Sequence, residues 1–409
     1  MPLLYSLKLP QLAQITNLEG AKMAKSYEEI NERIRNGKAV VVTAEEIIGI
    51  VDEIGLEAAA EKVDVVTTAT FGPMCSTGAF LNFGHTSPAT RMEKIFLNDV
   101  EAYGGLAAVD TYIGATQESE TEGYDYGGAH VICDLIDGKS VKLNAKGKGT
   151  DCYPSKKVEA EIKLDSINEA YLYNPRNCYQ NYAAASNSSD KIIYTYMGPL
   201  KAKTGNVTYS TSGQLSPLLN DPLYRTIGVG TRIFIGGATG YVSWRGTQFN
   251  SAADRDENND IPKGTGATLA LIGDLKNMDT RYIKPGVFKD YGCTMYVGVG
   301  IPIPVLDTEI LKSCAIKDED IYTNVLDYSV SNGPKPVLAR VSYADLKTGQ
   351  IEIEGKKVKT APITSLVRSR EIADLLKQQI EEGSFELQKP IELFPTTPVG
   401  PLKDRSGEA

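Results

Sequence analysis

Helical spacing and short apolar runs take turns through the first seventy residues, and period-two alternation replaces them further along. Ser26-Tyr27-Glu28-Glu29 is a capping box, which predicts a helix from there to Arg35 with Gly37 as its stop. Residues 39–43 read as a short buried strand. Thr43-Ala44-Glu45-Glu46 opens a second helix, with Ile47, Ile48, Val51 and Ile54 on one face and Gly55 after it. A third short helix leads into a second buried strand at 64–69, and that strand delivers Cys75 at its carboxyl end. Ligands gather at the carboxyl ends of strands in open α/β sheets, so Cys75 stands where function is expected.

From about residue 131 to 164 the pattern turns to β. Asp137-Gly138 predicts a hairpin turn between strands at 131–136 and 140–145, and residues 157–164 alternate charged with apolar positions. Cys152 lies in the loop between the last two of these strands. Residues 226–305 are rich in Gly, Val and Ile. They hold two similar segments, Gly228-Val229-Gly230-Thr231-Arg232-Ile233 and Gly298-Val299-Gly300-Ile301-Pro302-Ile303, which read as paired strands or a faint duplication. Between them, residues 251–263 are polar and acidic, the pattern of a mobile loop. A helix over 370–382 and a proline-rich tail close the chain. The fold class that follows is mixed α/β: an N-terminal α/β unit, a Gly-rich, β-rich central region and a C-terminal helix. The expected organisation is an extension at 1–24, one domain at 25–394 with room for two subdomains, and a tail at 395–409.

Charge and composition narrow the function. A net charge of −9 without a basic block argues against a nucleic-acid surface. No stretch approaches the roughly 20 apolar residues of a membrane span. The amino terminus lacks the cationic and apolar regions of a signal peptide, and Met23 offers a second start site. Six cysteines without a CxxC do not form the framework of a secreted protein, so a reducing cytoplasm is expected.

Within that frame each candidate group has a bland alternative. No glycine-rich segment fits a dinucleotide or P-loop fingerprint; Gly236-Gly237-Ala238-Thr239-Gly240 is best read as turns and close strand contacts. The only histidines, His85 and His130, lie near cysteines, but no His/Cys pair shows chelating spacing, so no metal site is expected. A hydrogen-bonded or substrate-facing role suits both histidines better. Glu101, near a tight turn, is a candidate for a substrate amino group, with solvated surface as its plain reading. Arg176, in Asn174-Pro175-Arg176-Asn177, and Arg232, after Gly230-Thr231, could present a guanidinium fork to a carboxylate or serve salt bridges.

The thiols stand out. Cys133, Cys178, Cys293 and Cys314 sit in segments that read as structural, whereas Cys75 and Cys152 sit in Gly/Pro-punctuated loops. A cation, a helix start or a nest of amides lowers a thiol pKa from about 8.5. Ser76-Thr77-Gly78 and the apolar run after it would place Cys75 at a helix start, and Lys146, Lys148, Lys156 and Lys157 flank Cys152, with Asp151 opposing them. Two activated thiols in separate loops suit sulfur relay, one carrying a persulfide and the other resolving it.

At these loops the chain resembles a known family. Thr70-Phe71-Gly72-Pro73-Met74-Cys75, Asn82-Phe83-Gly84-His85, Glu101-Ala102-Tyr103-Gly104-Gly105, Tyr126-Gly127-Gly128-Ala129-His130, Gly149-Thr150-Asp151-Cys152-Tyr153-Pro154 and Asn174-Pro175-Arg176-Asn177 are similar to motifs of the homocysteine-biosynthesis family of methanogens and other anaerobes. The likeness runs from about Lys25 to Phe394. It is to the form without the paired CBS modules that some relatives carry, so adenosyl-ligand regulation is not implied.

The resemblance implies L-aspartate semialdehyde sulfurtransferase activity: the aldehyde, sulfide and two electrons give L-homocysteine. It implies a ferredoxin-type iron–sulfur protein as partner and external reductant, with no cofactor tightly bound in this chain. It also implies Cys152 as the persulfide-bearing cysteine and Cys75 as the second functional one. Arg176 or Arg232 would then hold the substrate carboxylate, and His85 or His130 would move protons. Direct exchange between the thiols would need their Cα atoms roughly 4.4–6.8 Å apart. A sulfur carrier or metallocluster-assembly protein is the alternative, and self-association stays open.

Overall fold

Residues 25–395 and 397 are described by the computed structural model, so the N-terminal extension with Met23 and most of the tail lie outside the described residues. Helix α1 (Tyr27–Arg35) starts as its sequence requires. The Ser26 hydroxyl accepts from the Glu29 amide at 3.2 Å, and the Glu29 carboxylate accepts from the Ser26 amide at 2.7 Å. After β1 (Val41–Thr43), Thr43 and Glu46 make the same reciprocal pair at the start of α2 (Glu46–Ile54), whose Ile47 is buried while Ile54 is exposed. Helix α3 (Leu56–Lys62) leads to β2 (Val65–Pro73), which pairs in parallel with β1.

Short strands follow: β3 (Gly78–Asn82), β4 (Lys94–Leu97), β5 (Val100–Tyr103), β6 (Asp110–Gly114), β7 (Glu118–Ser119) and β8 (Gly123–Gly127). The segment predicted as a strand at 131–136 is instead the second half of helix α4 (Gly128–Ile136). Gly128, Ala129, Val131, Ile132, Cys133 and Leu135 are all buried, so the polar face is only His130 and Asp134, too little to display a helical period against a short apolar run. Asp137-Gly138, predicted as a hairpin turn, is its C-terminal cap, with Gly138 at φ 73°. Strands β9 (Val141–Lys146) and β10 (Lys157–Ile162) pair antiparallel as expected, and β11 (Glu169–Asn177) absorbs the predicted Asn-Pro turn as a bulge between Asn174 and Asn177.

The chain then makes β12 (Ala184–Ser186), the hairpin of β13 (Ile193–Thr195) and β14 (Gly198–Leu200), β15 (Val207–Tyr209), α5 (Pro217–Asn220), β16 (Arg232–Ile235), β17 (Ala238–Arg245) and β18 (Leu269–Asp274). Strands β19 (Ile283–Phe288) and β20 (Gly292–Pro304) precede α6 (Thr308–Cys314), and β21 (Tyr322–Asp327), β22 (Val337–Ser342), α7 (Tyr343–Lys347), β23 (Gln350–Ile353) and β24 (Lys356–Pro362) lead to α8 (Leu366–Glu381). That last helix starts a turn earlier than predicted, because Ser365 caps it by accepting from the Arg368 amide. Residues 251–263 form an irregular loop pinned by Arg255, which donates to the carbonyls of Pro222 and Asp260.

The strands assemble into a 16-stranded sheet along the path β1-β2-β20-β16-β17-β18-β11-β3-β6-β5-β4-β9-β10 and a six-stranded sheet ordered β22-β21-β12-β15-β24-β23. The second of the two similar Gly-rich segments, in β20, pairs with the residues just after the first, Phe234 opposite Gly300 and Ile235 opposite Val299. Helix α8 lies close over β20: a Cβ at Gly298 would come within 2.6 Å of the Ile372 side chain. Helices α1, α2, α3, α6 and α8 share one core with β2, a second core joins α4 to the strands from β3 to β11, and the six-stranded sheet has its own.

Candidate active site

Cys75 stands in the turn from β2 to β3, not at a helix start. The chain leaves β2 with the Met74 amide donating to the Met295 carbonyl at 2.7 Å, and the Thr77 amide and hydroxyl both return to the Met74 carbonyl. Gly78 then opens β3, since a Cβ there would meet the Tyr112 hydroxyl at 2.2 Å. Fully buried Asn174, at the bulge of β11, fastens this turn. Its Nδ2 donates to the Thr77 hydroxyl at 2.8 Å, and its Oδ1 accepts from the Arg176 amide at 2.9 Å and lies 3.4 Å from the Ser76 hydroxyl. One side chain therefore holds the cysteine turn and the arginine together.

The Arg176 guanidinium is incompletely used by the fold: its Nε is buried with no hydrogen-bond partner, as is the Asn177 side-chain amide nitrogen. Such orphaned donors are costly where no ligand or water meets them. The backbone beyond is held in the left-handed region at Cys178 (φ 51°) and Asn181 (φ 46°), the kind of local strain that collects at functional sites.

A cluster of tyrosines lies on the chain segments that follow β11, β13, β19 and β21. Tyr179 and Tyr182, on the link from β11 to β12, meet edge to face at 4.9 Å. Tyr196, in the turn between β13 and β14, packs against Tyr291 at 6.4 Å and Tyr328 at 5.9 Å. Tyr182 donates to the Tyr196 hydroxyl at 3.1 Å, and the Tyr196 and Tyr328 hydroxyls are 3.0 Å apart. Burial pushes the Tyr179 phenol up to about 12, with Arg176 pulling against it and Cys75 adding to it; burial also raises Tyr291, again with Cys75 contributing. Of the phenols, Tyr179 and Tyr291 are thus the two that feel the Cys75 thiol, and Tyr179 also feels the Arg176 guanidinium.

Cys152 is different. It is exposed, in a loop tied back on itself by mutual Thr150–Tyr153 backbone bonds and fastened to the chain after β3 by the Ser155 amide donating to the Ala89 carbonyl. His85 stacks against neighbouring Tyr153 with centroids 6.2 Å apart. Of the flanking lysines, Lys148 and Lys157 are engaged by Glu93 and Glu159, at 3.5 and 2.5 Å.

The structure does not bring the two thiols together. Cys75 precedes Gly78, whereas the Cys152 loop packs beside the chain that leaves β3 after Asn82, roughly 13 Å further on at about 3.3 Å per residue.

The remaining predicted residues are dispersed. His130 lies on α4, where its Nδ1 accepts from the Gly127 amide at 3.0 Å; burial lowers its pKa. Being on a helix, His130 and Cys133 do not point to opposite faces as a strand would have had them, yet no group of three or more metal-ligating side chains occurs among the described residues. Arg232 donates to the Glu386 carbonyl at 3.2 Å, and β16 meets β20 at Gly300, at least the length of residues 296–300, roughly 13 Å, from the end of β2 that leads to Cys75. Glu101 is exposed on β5. The other thiols are buried and pushed up by that burial, Cys133 to about 12 and Cys293 to about 11, with Cys178 and Cys314 also raised, so they stay protonated and inert. Sequence reasoning missed the phenols, although 22 tyrosines against 9 phenylalanines, with Tyr179, Tyr182, Tyr194 and Tyr196 close together, was a readable signal.

Comparison with known proteins adds independent information. A family described as "Homocysteine biosynthesis enzyme, sulfur-incorporation" matches residues 39–387. The L-aspartate semialdehyde sulfurtransferase of Methanosarcina acetivorans is 52% identical over 368 residues, covering 90% of this chain and 71% of its own. That of Methanocaldococcus jannaschii is 50% identical over 394 residues, covering 93% of this chain and 75% of its own. No solved structure matches. No helix among the described residues is long and apolar enough to cross a membrane.

Proposed function

The chain belongs to the homocysteine-biosynthesis, sulfur-incorporation family, and from that premise we propose that it is an L-aspartate semialdehyde sulfurtransferase in which Cys152 carries sulfur to an aldehyde held beside Cys75. The observation that carries the reading is the buried, unpartnered Nε of Arg176 next to the Cys75 turn. A guanidinium with unused donors is suited to the α-carboxylate of an amino-acid aldehyde.

The chemistry balances as a cycle. The terminal sulfur of a Cys152 persulfide adds to the aldehyde carbon. The Cys75 thiolate then attacks the Cys152 sulfur, which releases the thiohemiacetal and leaves a Cys75–Cys152 disulfide. Sulfide opens that disulfide at Cys152, which restores the persulfide and frees Cys75, so no external oxidant is consumed. The thiohemiacetal loses water to a thioaldehyde, and two electrons and two protons convert this to the thiol of L-homocysteine. The electrons come from an iron–sulfur protein partner. Because the thiols lie at opposite ends of β3, the cycle requires the loop 147–156 to travel to the Cys75 cleft. The exposure of Cys152 suits it to loading from solution, and the half-buried setting of Cys75 suits it to a fixed part in the exchange.

The test is anaerobic turnover of L-aspartate semialdehyde with sulfide and a low-potential reductant, followed as homocysteine, alongside intact-mass analysis after sulfide treatment. Added sulfur on Cys152 is expected. Full homocysteine formation by Cys152→Ser would overturn the scheme.

A further inference from the structure

Loss of water from a thiohemiacetal requires a proton on the departing oxygen, and neither histidine first considered for proton transfer makes a hydrogen bond or ring contact with residues of the Cys75 turn. His85 lies with the Cys152 loop, and His130 is committed through Nδ1 to the Gly127 amide on α4. Asp327, after which Tyr328 follows, already accepts from the Ser188 and Ser329 hydroxyls and both their amides, an arrangement that holds its carboxyl below the usual range against the cost of burial. The groups left around the cleft are phenols.

We propose that Tyr196 is the general acid for this dehydration, with Tyr182 and Tyr328 as the donors that stabilise its phenolate. The inference rests on the sulfur-transfer reading above and adds a specific acid to it. Tyr182 donates to the Tyr196 oxygen at 3.1 Å, which turns the hydrogen of Tyr196 toward Tyr328, 3.0 Å away, or toward a ligand oxygen. When that hydrogen leaves, Tyr328 can reverse its hydroxyl and donate in turn, so the phenolate oxygen receives two hydrogen bonds without any change of backbone. Burial raises the phenols of Tyr182 and Tyr328, which keeps both protonated as donors. Tyr196 is the member turned outward: the residue is 38% exposed, and its ring packs against Tyr291, whose phenol feels the Cys75 thiol.

The step balances. The proton passes from the Tyr196 hydroxyl to the thiohemiacetal oxygen, the C–O bond breaks and water departs. The sulfur–carbon double bond forms from the thiolate lone pair. The Tyr196 phenolate takes its proton back from solvent.

The experiment compares wild type with Tyr196→Phe, Tyr328→Phe and Tyr194→Phe in the anaerobic homocysteine assay. Tyr194 lies on the same hairpin outside the phenol network and should behave as wild type. For Tyr196→Phe, kcat should fall by about 10²-fold or more, the usual worth of a positioned acid, with KM for the aldehyde within about threefold and sulfide loading of Cys152 intact. Tyr328→Phe should lose less, about tenfold, having lost one of two donors to the phenolate. Undiminished kcat in Tyr196→Phe, or a loss carried wholly by KM, overturns the assignment while leaving sulfur transfer standing. Absence of homocysteine from wild type overturns the sulfur-transfer reading, and the assignment with it.

Discussion

The two loop thiols have opposite surroundings. Cys75 is half-buried in a turn that Met295 of β20 and buried Asn174 of β11 fix from two sides, beside an arginine. Cys152 is exposed on a loop whose anchors are a few backbone bonds and one ring stack. A thiol that must orient a reaction needs the first setting, because geometry held by packing is what converts an encounter into a reactive complex. A thiol that must collect and carry a group needs the second, because local opening costs least where few buried contacts are broken.

The sharpest way to break this comparison is to remove each thiol in turn. Cys152→Ser and Cys75→Ser should each cut homocysteine formation by about 10³-fold or more. Their signatures should differ: only Cys152→Ser abolishes sulfur loading by intact mass, and alkylation of wild type should label Cys152 before Cys75 and leave the four buried thiols unmodified. The next largest effect tests the travel of the carrier. Thr90 and Ser155 form a bridge between the chain after β3 and the Cys152 loop. Oxidised Thr90→Cys/Ser155→Cys enzyme should load sulfur normally yet turn over about 10²-fold more slowly, an expectation of order resting on the loss of positioning, and recover on reduction of the tether.

Arg176→Ala should raise KM for the aldehyde about 10- to 100-fold, since a charge-assisted hydrogen bond contributes about 1.5–3 kcal/mol, and Arg176→Lys should recover part of it; an unchanged KM would remove the arginine from the site. The smallest functional change belongs to Asn174→Ala. Its cost should appear first as stability, about 2–3 kcal/mol by denaturant unfolding, because it leaves buried donors without partners. Cys75 should then alkylate faster, as its turn loosens.

What the sequence disclosed follows the range over which its signals act. Caps and short helices are local, so α1, α2 and their boundaries could be read from Ser26, Thr43 and Gly55. Helix α4 could not, because only His130 and Asp134 mark its polar face and the rest reads as a short apolar run. The turn at Cys75 was recognisable as a loop, but its surroundings were not: Arg176 and Tyr196 reach it from more than a hundred residues away in sequence. Arg176 and Arg232 looked equivalent in their motifs, and only the pairing of β16 with β20 separates them. The phenols went unremarked because tyrosine is an ordinary core residue until several share hydroxyls.

The pairing of β2 with β20 also sets a schedule for the chain's synthesis. Residues 65–73 find their antiparallel partners at 296–304, and the amide next to Cys75 waits for the carbonyl of Met295. At about 5–20 residues per second, that strand emerges on the order of ten seconds or more after the thiol has been made. Until then the nascent chain carries a cysteine turn that Asn174 and β3 can hold on one side but that lacks its β20 partner. The reactive arrangement is therefore completed late, only after β20 has been translated.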